Sequence, residues 1–304
     1  MTETPSPPWG EGQSQAPSPD TAPLPDPLPG GEREKVRQAL TAAASRFAFS
    51  ETPRLDAELL MAHAHGVSRE ALLLRHLDDP VPSAFADLVE RRARHEPVAY
   101  ITGTRAFWTI DLQVGPGVLV PRADSETLIE AAVEHFADRA PAAILDLGTG
   151  PGTLLLAALD QWPRAKGLGI DQSEDAARYF AVNVAALGMG DRVRFQRGDW
   201  AEGLDGRFDL ILANPPYIAT ADPLPPEVSD YEPVAALFAG PDGLDAYRIL
   251  APQVARLLAS GGVACIEVGA AQGEAAAALF RNEGLGIVLK QDLAGRDRCC
   301  IVTP

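Results

Sequence analysis

The chain predicts an α/β fold: a mostly parallel, doubly wound sheet preceded by a small helical domain and a β-hairpin. Three observations carry this reading. From residue 142 onward, apolar strand-like runs alternate with helical stretches. Residues 32–103 place apolar side chains at helical spacing between start and stop signals. Between the two, residues 104–120 show a partial two-residue alternation. No run of about 18 uninterrupted apolar residues is present, so no membrane span is expected.

The first segment, 1–31, has nine prolines in its first thirty residues, and Trp9, Leu24 and Leu28 are its only sizeable apolar side chains after Met1. Such a composition does not offset the entropy of ordering, so it reads as a disordered tail. It has neither the apolar centre of a secretory signal nor the arginines of a transit peptide. Thr52-Pro53 then starts a helix and Gly66 stops it, with Leu55, Leu59 and Ala62 as its buried face. Ser68 starts a second helix through Leu72–Leu74, and Ser83 a third running to His95. Phe47, Phe49 and Met61 read as core of this region. The Arg91-Arg92-Ala93-Arg94 run reads as a solvated helix end, where cations are stabilising. Phe107, Trp108, Ile110, Leu112 and Val114 mark the hairpin. Ser125 starts a helix through Leu128, Ile129, Ala132, Val133 and Phe136.

The alternation follows. Strands are expected at 142–147, 166–170, 192–197, 208–213, 263–268, 286–291 and 298–303. Helices are expected at 152–159, 173–187, 247–258 (ended by Ser260-Gly261-Gly262) and 272–282. Ligands in such sheets bind at the carboxyl ends of the strands.

Net charge is −16, from 42 acidic and 26 basic residues. Residues 32–120 hold 11 basic and 12 acidic side chains, against 15 and 26 in 121–304, so the excess lies mostly on the second domain and the tail. Such a surface repels nucleic-acid phosphates, and no direct nucleic-acid contact is expected. The three cysteines and five histidines form no disulfide framework and no metal-ligand spacing; no metal is expected, and the setting reads as reducing and cytoplasmic.

Asp146-Leu147-Gly148-Thr149-Gly150-Pro151-Gly152 follows a strand and opens a helix. Glycines there let the backbone turn tightly and approach a ligand. Asp171 ends the next strand, where a carboxylate can accept from both hydroxyls of a ribose. Together they indicate a nucleoside-containing cofactor rather than an ordinary strand–helix turn. A dinucleotide fingerprint needs glycine at 153, and Thr153 stands there. The G-x-G-x-G spacing led by an acid resembles the class I S-adenosylmethionine-dependent methyltransferases.

Asn214-Pro215-Pro216-Tyr217 follows the strand that ends at Ala213 and is the most specific signal in the chain. Two prolines fix φ twice and remove two N–H donors, leaving a rigid turn rich in acceptors. The Asn214 side-chain oxygen and the Pro215 carbonyl can each accept one hydrogen of an NH₂ group, and Tyr217 can pack on the planar group. That turns the lone pair of a poorly nucleophilic nitrogen toward an approaching methyl, so catalysis rests on orientation and electrostatics.

These motifs lie in a longer series: Pro53-Arg54-Leu55-Asp56-Ala57-Glu58-Leu59-Leu60, Pro97-Val98-Ala99-Tyr100-Ile101-Thr102-Gly103, Phe107-Trp108, Val120-Pro121-Arg122 with Glu126, Glu267-Val268-Gly269 with Gln272-Gly273, and Gly295-Arg296-Asp297-Arg298. Across 52–304 the chain resembles the release factor glutamine N5-methyltransferases. The resemblance implies a seven-stranded class I methyltransferase (Rossmann-like) domain over 121–304 with its last strand antiparallel. It implies a helical domain over 32–103 that contacts the release factor, and a hairpin linker over 104–120. The activity it implies is methylation by S-adenosylmethionine of the side-chain amide of the glutamine in the Gly-Gly-Gln motif of class 1 release factors, releasing S-adenosylhomocysteine; a monomer is expected. Carried over by motif position, Gly148, Thr149, Gly150, Pro151, Gly152, Asp171, Trp200 and Asn214 contact the cofactor. Asn214, Pro215, Pro216 and Tyr217 hold the glutamine amide, with Asn214, Pro215 and Tyr217 as the catalytic set.

The chain departs from the family pattern in three places. The segment usually read Ile-Pro-Arg-Pro-Asp-Thr-Glu is Val120-Pro121-Arg122-Ala123-Asp124-Ser125-Glu126, Ala106 replaces a frequent glutamate, and the tail has no counterpart. Arg122 has two readings, orienting substrate or pairing with Glu126, and Glu267 reads as an unremarkable acid at a strand end. Competing functions are an amino-methyltransferase for DNA or RNA bases, against which the charge argues, and a non-catalytic binding module, against which intact Asn214–Tyr217 argues. A NAD-dependent dehydrogenase is disfavoured by Thr153.

Overall fold

The computed structural model describes residues 35–304; the expected tail, 1–31, lies outside them. Five helices come first: α1 (Val36–Arg46), α2 (Pro53–His65), α3 (Arg69–Arg75), α4 (Phe85–Ala93) and α5 (Val98–Thr102). They enclose Leu40, Phe47, Leu60, Met61 and Leu72, all fully buried. Helix α2 stops at Gly66, whose φ of 68° is the left-handed conformation that glycine adopts freely. Its inward face differs from the expected stripe. Ala57, Leu60, Met61 and Ala62 are buried while Leu55 is 36% exposed, because α1, α3, α4 and α5 all pack on α2 and widen the covered arc. Ser68 caps α3 by accepting from Ala71 N, whereas α4 begins at Phe85 and ends at Ala93 without a Ser83 cap.

Phe49 and the arginine run also depart from expectation. Phe49 is half exposed, not core: it lies under the Arg92 guanidinium, 4.9 Å from the ring centroid, and against the His95 ring. The arginine run is not simply a solvated helix end. Arg92 is buried, 2.8 Å from Asp56 and 2.9 Å from Glu227, which lies in the second domain. The histidines also gather more than their spacing indicates, since ligand atoms of His65, His76 and Asp79 lie within 4.8 Å of one another, with His76 paired to Asp79.

A hairpin follows, β1 (Thr104–Phe107) and β2 (Ile110–Gln113), then α6 (Glu126–Phe136). Phe107, Ile110 and Leu112 are buried in the same cluster as the inner face of α6.

The sheet expected from the alternation is present. Its strands are β3 (Ala143–Leu147), β4 (Lys166–Asp171), β5 (Val193–Arg197), β6 (Phe208–Ala213), β7 (Leu258–Glu267), β8 (Gly286–Gln291) and β9 (Asp297–Thr303), in the order β5-β4-β3-β6-β7-β9-β8. Strand β9 runs antiparallel to both its neighbours, β7 and β8, while the other strand pairs of the sheet are parallel. Helices α7 (Thr153–Gln161) and α8 (Glu174–Ala186) join α6 over one face. Helices α10 (Asp245–Leu257) and α11 (Gly273–Asn282) cover the other, and the short α9 (Pro226–Ser229) lies in the loop after β6. Cys299 and Cys300 point to opposite faces, one into each core.

Helix α10 ends at Leu257, before Ser260-Gly261-Gly262, because Leu258 already pairs with Phe208. The register then shifts before Leu210 meets Val263, and Gly261 (φ 76°) with Gly262 makes the bulge. A Cβ at Gly262 would stand 2.6 Å from the Asp209 carbonyl oxygen. Among the described residues no helix is long and apolar enough to cross a membrane.

Candidate active site

Strand register builds the site. Leu147 pairs with Ile170 of β4 and Ala213 of β6, and Ala213 pairs with Ile266 of β7. The next residue of each strand therefore lies at one level: Gly148, Asp171, Asn214 and Glu267. All four stand at carboxyl ends beside the switch in strand order, where open α/β sheets bind ligands.

The glycine loop curls back on β4. Gly148 N and Thr149 N donate to Ile170 O at 2.9 and 3.0 Å, and Gly150 N donates to Asp171 Oδ2 at 2.8 Å. Gly148 and Gly150 have φ of 72° and 55°. A Cβ on Gly148 would press on the Trp200 ring at 3.3 Å. Asp171 Oδ1 accepts from Ser173 N at 2.9 Å, so each carboxylate oxygen keeps one lone pair for a ligand.

Asp146 is buried beneath the loop. Its Oδ2 accepts from Thr149 Oγ1 at 2.6 Å and from Leu155 N at 3.2 Å, while Oδ1 is buried with no partner among the described residues. Burial pushes its carboxyl up to about 7 against the bonds from Thr149 and Leu155.

A cavity of about 470 Å³ opens over this level, lined by Gly148, Gly150, Asp171, Asp199, Trp200, Asn214 and Pro216 among others. A second, of about 140 Å³, is lined by Arg122, Asn214, Tyr217 and Glu267 together with apolar residues of the loop after β6. Asn214, Leu119 and Ala236 line both. Thr149 and Pro151 line a small neighbouring recess with Asp146. Gly152 lines none of these cavities; its φ of 95° and missing Cβ make room for Leu156 and Phe180. Pro215 is buried and likewise lines none of them.

The Asn-Pro-Pro-Tyr turn is held from several sides. Asn214 Nδ2 donates to Ser125 Oγ at 3.2 Å, and Ser125 Oγ donates to Glu267 Oε2 at 2.5 Å. Tyr217 OH lies 3.4 Å from Glu267 Oε1, and Gln272 Nε2 donates to Tyr217 O at 2.9 Å. A Cβ at Gly243 or Gly269 would press on Tyr217. Burial, reinforced by Glu267, pushes the Tyr217 phenol up to about 12.

Ser125, Glu267 and Glu232 were not legible as site residues. Ser125 stands at the N-cap of α6, as expected, but its side chain makes no cap bond; a one-turn 3₁₀ segment, Ala123–Ser125, precedes that helix and turns the hydroxyl to Glu267. Glu267 is fully committed to the site rather than an ordinary strand-end acid, and only strand register reveals it. Arg122 pairs with Glu232 at 2.5 Å, while Glu126 accepts from Trp108 N at 2.8 Å, so of the two readings of Arg122 the pair with Glu126 is not formed. Burial raises Glu232 despite Arg122. The loop carrying Glu232 had no helical or strand period to announce it; through Pro233, Ala235 and Ala236 it walls the larger cavity.

The residues present fit an adenosine-bearing cofactor. The cavity has the size for one, glycines allow close approach, Asp171 offers free lone pairs, and the orphaned Asp146 Oδ1 awaits a donor.

A family model described as the PrmC N-terminal domain matches residues 38–103, and one described as a methyltransferase domain matches 139–286. The chain is 43% identical to a release factor glutamine methyltransferase of Caulobacter vibrioides, covering 86% of this chain and 93% of that protein. It is 46% identical to one of Rhodospirillum rubrum, covering 84% and 80%. It is 40% identical to one of Moorella thermoacetica, covering 87% and 96%.

Proposed function

Since the chain belongs to the release factor glutamine methyltransferases, we propose that it moves a methyl group from S-adenosylmethionine to the side-chain amide nitrogen (N5) of the glutamine in the Gly-Gly-Gln motif of class 1 release factors. One observation carries the reading: Asn214 stands in the wall shared by a cofactor-sized cavity and a smaller one lined by Tyr217. A methyl donor on one side and an amide on the other would meet there.

The cofactor, when bound, supplies an electrophilic methyl on a sulfonium sulfur. The chain supplies orientation. Asp171 holds the ribose, Gly148 and Gly150 let the backbone come close, and Trp200 offers a face to the base. Asn214 Oδ1 and the Pro215 carbonyl each accept one hydrogen of the glutamine NH₂, Tyr217 packs on its plane, and the lone pair then faces the methyl. The helical domain contacts the release factor. A nucleobase acceptor is not favoured by these relatives or by the charge. A reducing cytoplasm suits the three free, buried cysteines.

The test is labelled methyl transfer to a class 1 release factor with peptide mass spectrometry, using a Gly-Gly-Gln variant that lacks the glutamine as control. One methyl on that glutamine, absent in the control, is expected. No transfer with cofactor binding intact would overturn the acceptor assignment.

A further inference from the structure

Ser125 and Glu267 lie outside the Asn-Pro-Pro-Tyr motif, yet each is about 1% exposed and they stand in line behind Asn214. We propose that Glu267 and Ser125 form a positioning relay that selects which half of the Asn214 amide faces the acceptor cavity. The proposal rests on the reading of Asn214 as the residue that holds the substrate NH₂.

An asparagine amide is nearly symmetric in shape but not in chemistry: Oδ1 accepts and Nδ2 donates. A substrate NH₂ needs the acceptor, and a half-turn about χ2 would set donor against donor. A hydroxyl behind the amide does not choose between the two, because it can accept or donate. A carboxylate only accepts. Glu267 takes the Ser125 hydrogen, which leaves Ser125 Oγ with lone pairs alone for Asn214. Asn214 then turns Nδ2 to it, as observed, and Oδ1 is the half left for the cavity. Glu267 Oε1 also receives Tyr217 OH at 3.4 Å, so one carboxylate addresses both ends of the motif.

The relay needs the carboxylate ionised. Burial brings Glu267 up to about 7, with Ser125, Arg298 and Tyr217 opposing and Asp124 reinforcing. Arg298 Nη1 is 4.0 Å from Oε1, Tyr247 OH donates to the Glu267 carbonyl, and the neighbouring Cys299 is held well above the usual thiol range by burial. Once protonated, Glu267 can donate to Ser125, and the polarity passed to Asn214 is lost. Turnover should therefore fall as pH drops through about 7.

The test uses the full chain, a class 1 release factor and S-adenosylmethionine. Ser125→Ala should lower kcat about 10- to 100-fold, the scale of a misplaced reacting group, with cofactor affinity and KM for the release factor unchanged. Ser125→Thr, which keeps the hydroxyl, should recover most of kcat. Glu267→Gln still offers an acceptor but does not ionise, so it should keep part of the turnover and lose the acid limb. A second readout is independent of activity. Exchange of the Asn214 side-chain amide protons, followed by NMR, should be slow in the unmodified chain and faster in Ser125→Ala. Unchanged kcat in Ser125→Ala, an exchange rate indifferent to Ser125, or a kcat loss matched by an equal loss of cofactor affinity would overturn the relay. An unmodified chain that methylates no release factor but shows the protected amide would remove the acceptor assignment and support the relay.

Discussion

The helical domain and the strand ends treat buried carboxylates in opposite ways. In the helical domain Glu58 faces Arg54 at 2.7 Å and Arg69 at 2.8 Å, and Asp56 faces Arg92 at 2.8 Å. Burial pushes Glu58 upward, but its two arginines outweigh it and hold the carboxyl below the usual range. At the strand ends the closest partners are hydroxyls, Thr149 on Asp146 at 2.6 Å and Ser125 on Glu267 at 2.5 Å. There burial wins, and both carboxyls rise to about 7. In one region acids staple helices together. In the other they aim neighbouring groups at a cavity and retain unspent capacity toward a ligand.

Breaking the staple should have the largest effect. Arg92→Ala leaves Asp56 buried without its guanidinium and severs the tie to Glu227, and should destabilise the fold by about 3–5 kcal/mol in urea unfolding. A loss under about 1 kcal/mol, the scale of an exposed pair, would erase the contrast. On the other side, Asn214→Ala should lower kcat about 10²–10³-fold, the scale of one lost preorganised polar group, with the unfolding midpoint kept. Near-normal turnover would show that this amide does not hold the acceptor.

Asp171→Ala should weaken S-adenosylmethionine binding by about 1.5–3 kcal/mol, a charge-assisted bond's worth; unchanged affinity in calorimetry would contradict a ribose contact.

The two kinds of acid also differ in the sign of their pH dependence. Glu58, lowered in the fold, contributes stability that is lost as pH falls. Glu267, raised from 4.5 to about 7, contributes stability that is lost as pH rises through that window. Glu267→Gln should thus flatten the decline of Tm across it, and a profile parallel to the unmodified chain would show Glu267 ionised throughout. The smallest effect expected is that of Arg54→Ala. Arg54 is half exposed and Glu58 keeps Arg69, so about 0.3–0.5 kcal/mol should be lost.

Much of the fold was legible, since helix and strand periods are local: the α7 loop, the α2 stop at Gly66 and the alternation of the sheet all follow from neighbouring residues. Errors came where packing chose among local options. Ser260-Gly261-Gly262 reads as a helix stop, yet cross-strand pairing of Leu258 ended α10 first. Leu55 has the right spacing for a core face, yet the neighbours of α2 cover another arc.

The sequence by itself determined the glycine loop, the acid after the second sheet strand and the proline-stiffened turn, because each is local: glycines free to take positive φ, a carboxylate at a strand end, and prolines that fix φ. Only the tertiary structure decided that Ser125 and Glu267 stand behind Asn214, and that Arg92 reaches Glu227. Those contacts join residues 89, 142 and 135 positions apart. They depend on strand register and interdomain packing, and no local preference of the chain encodes either.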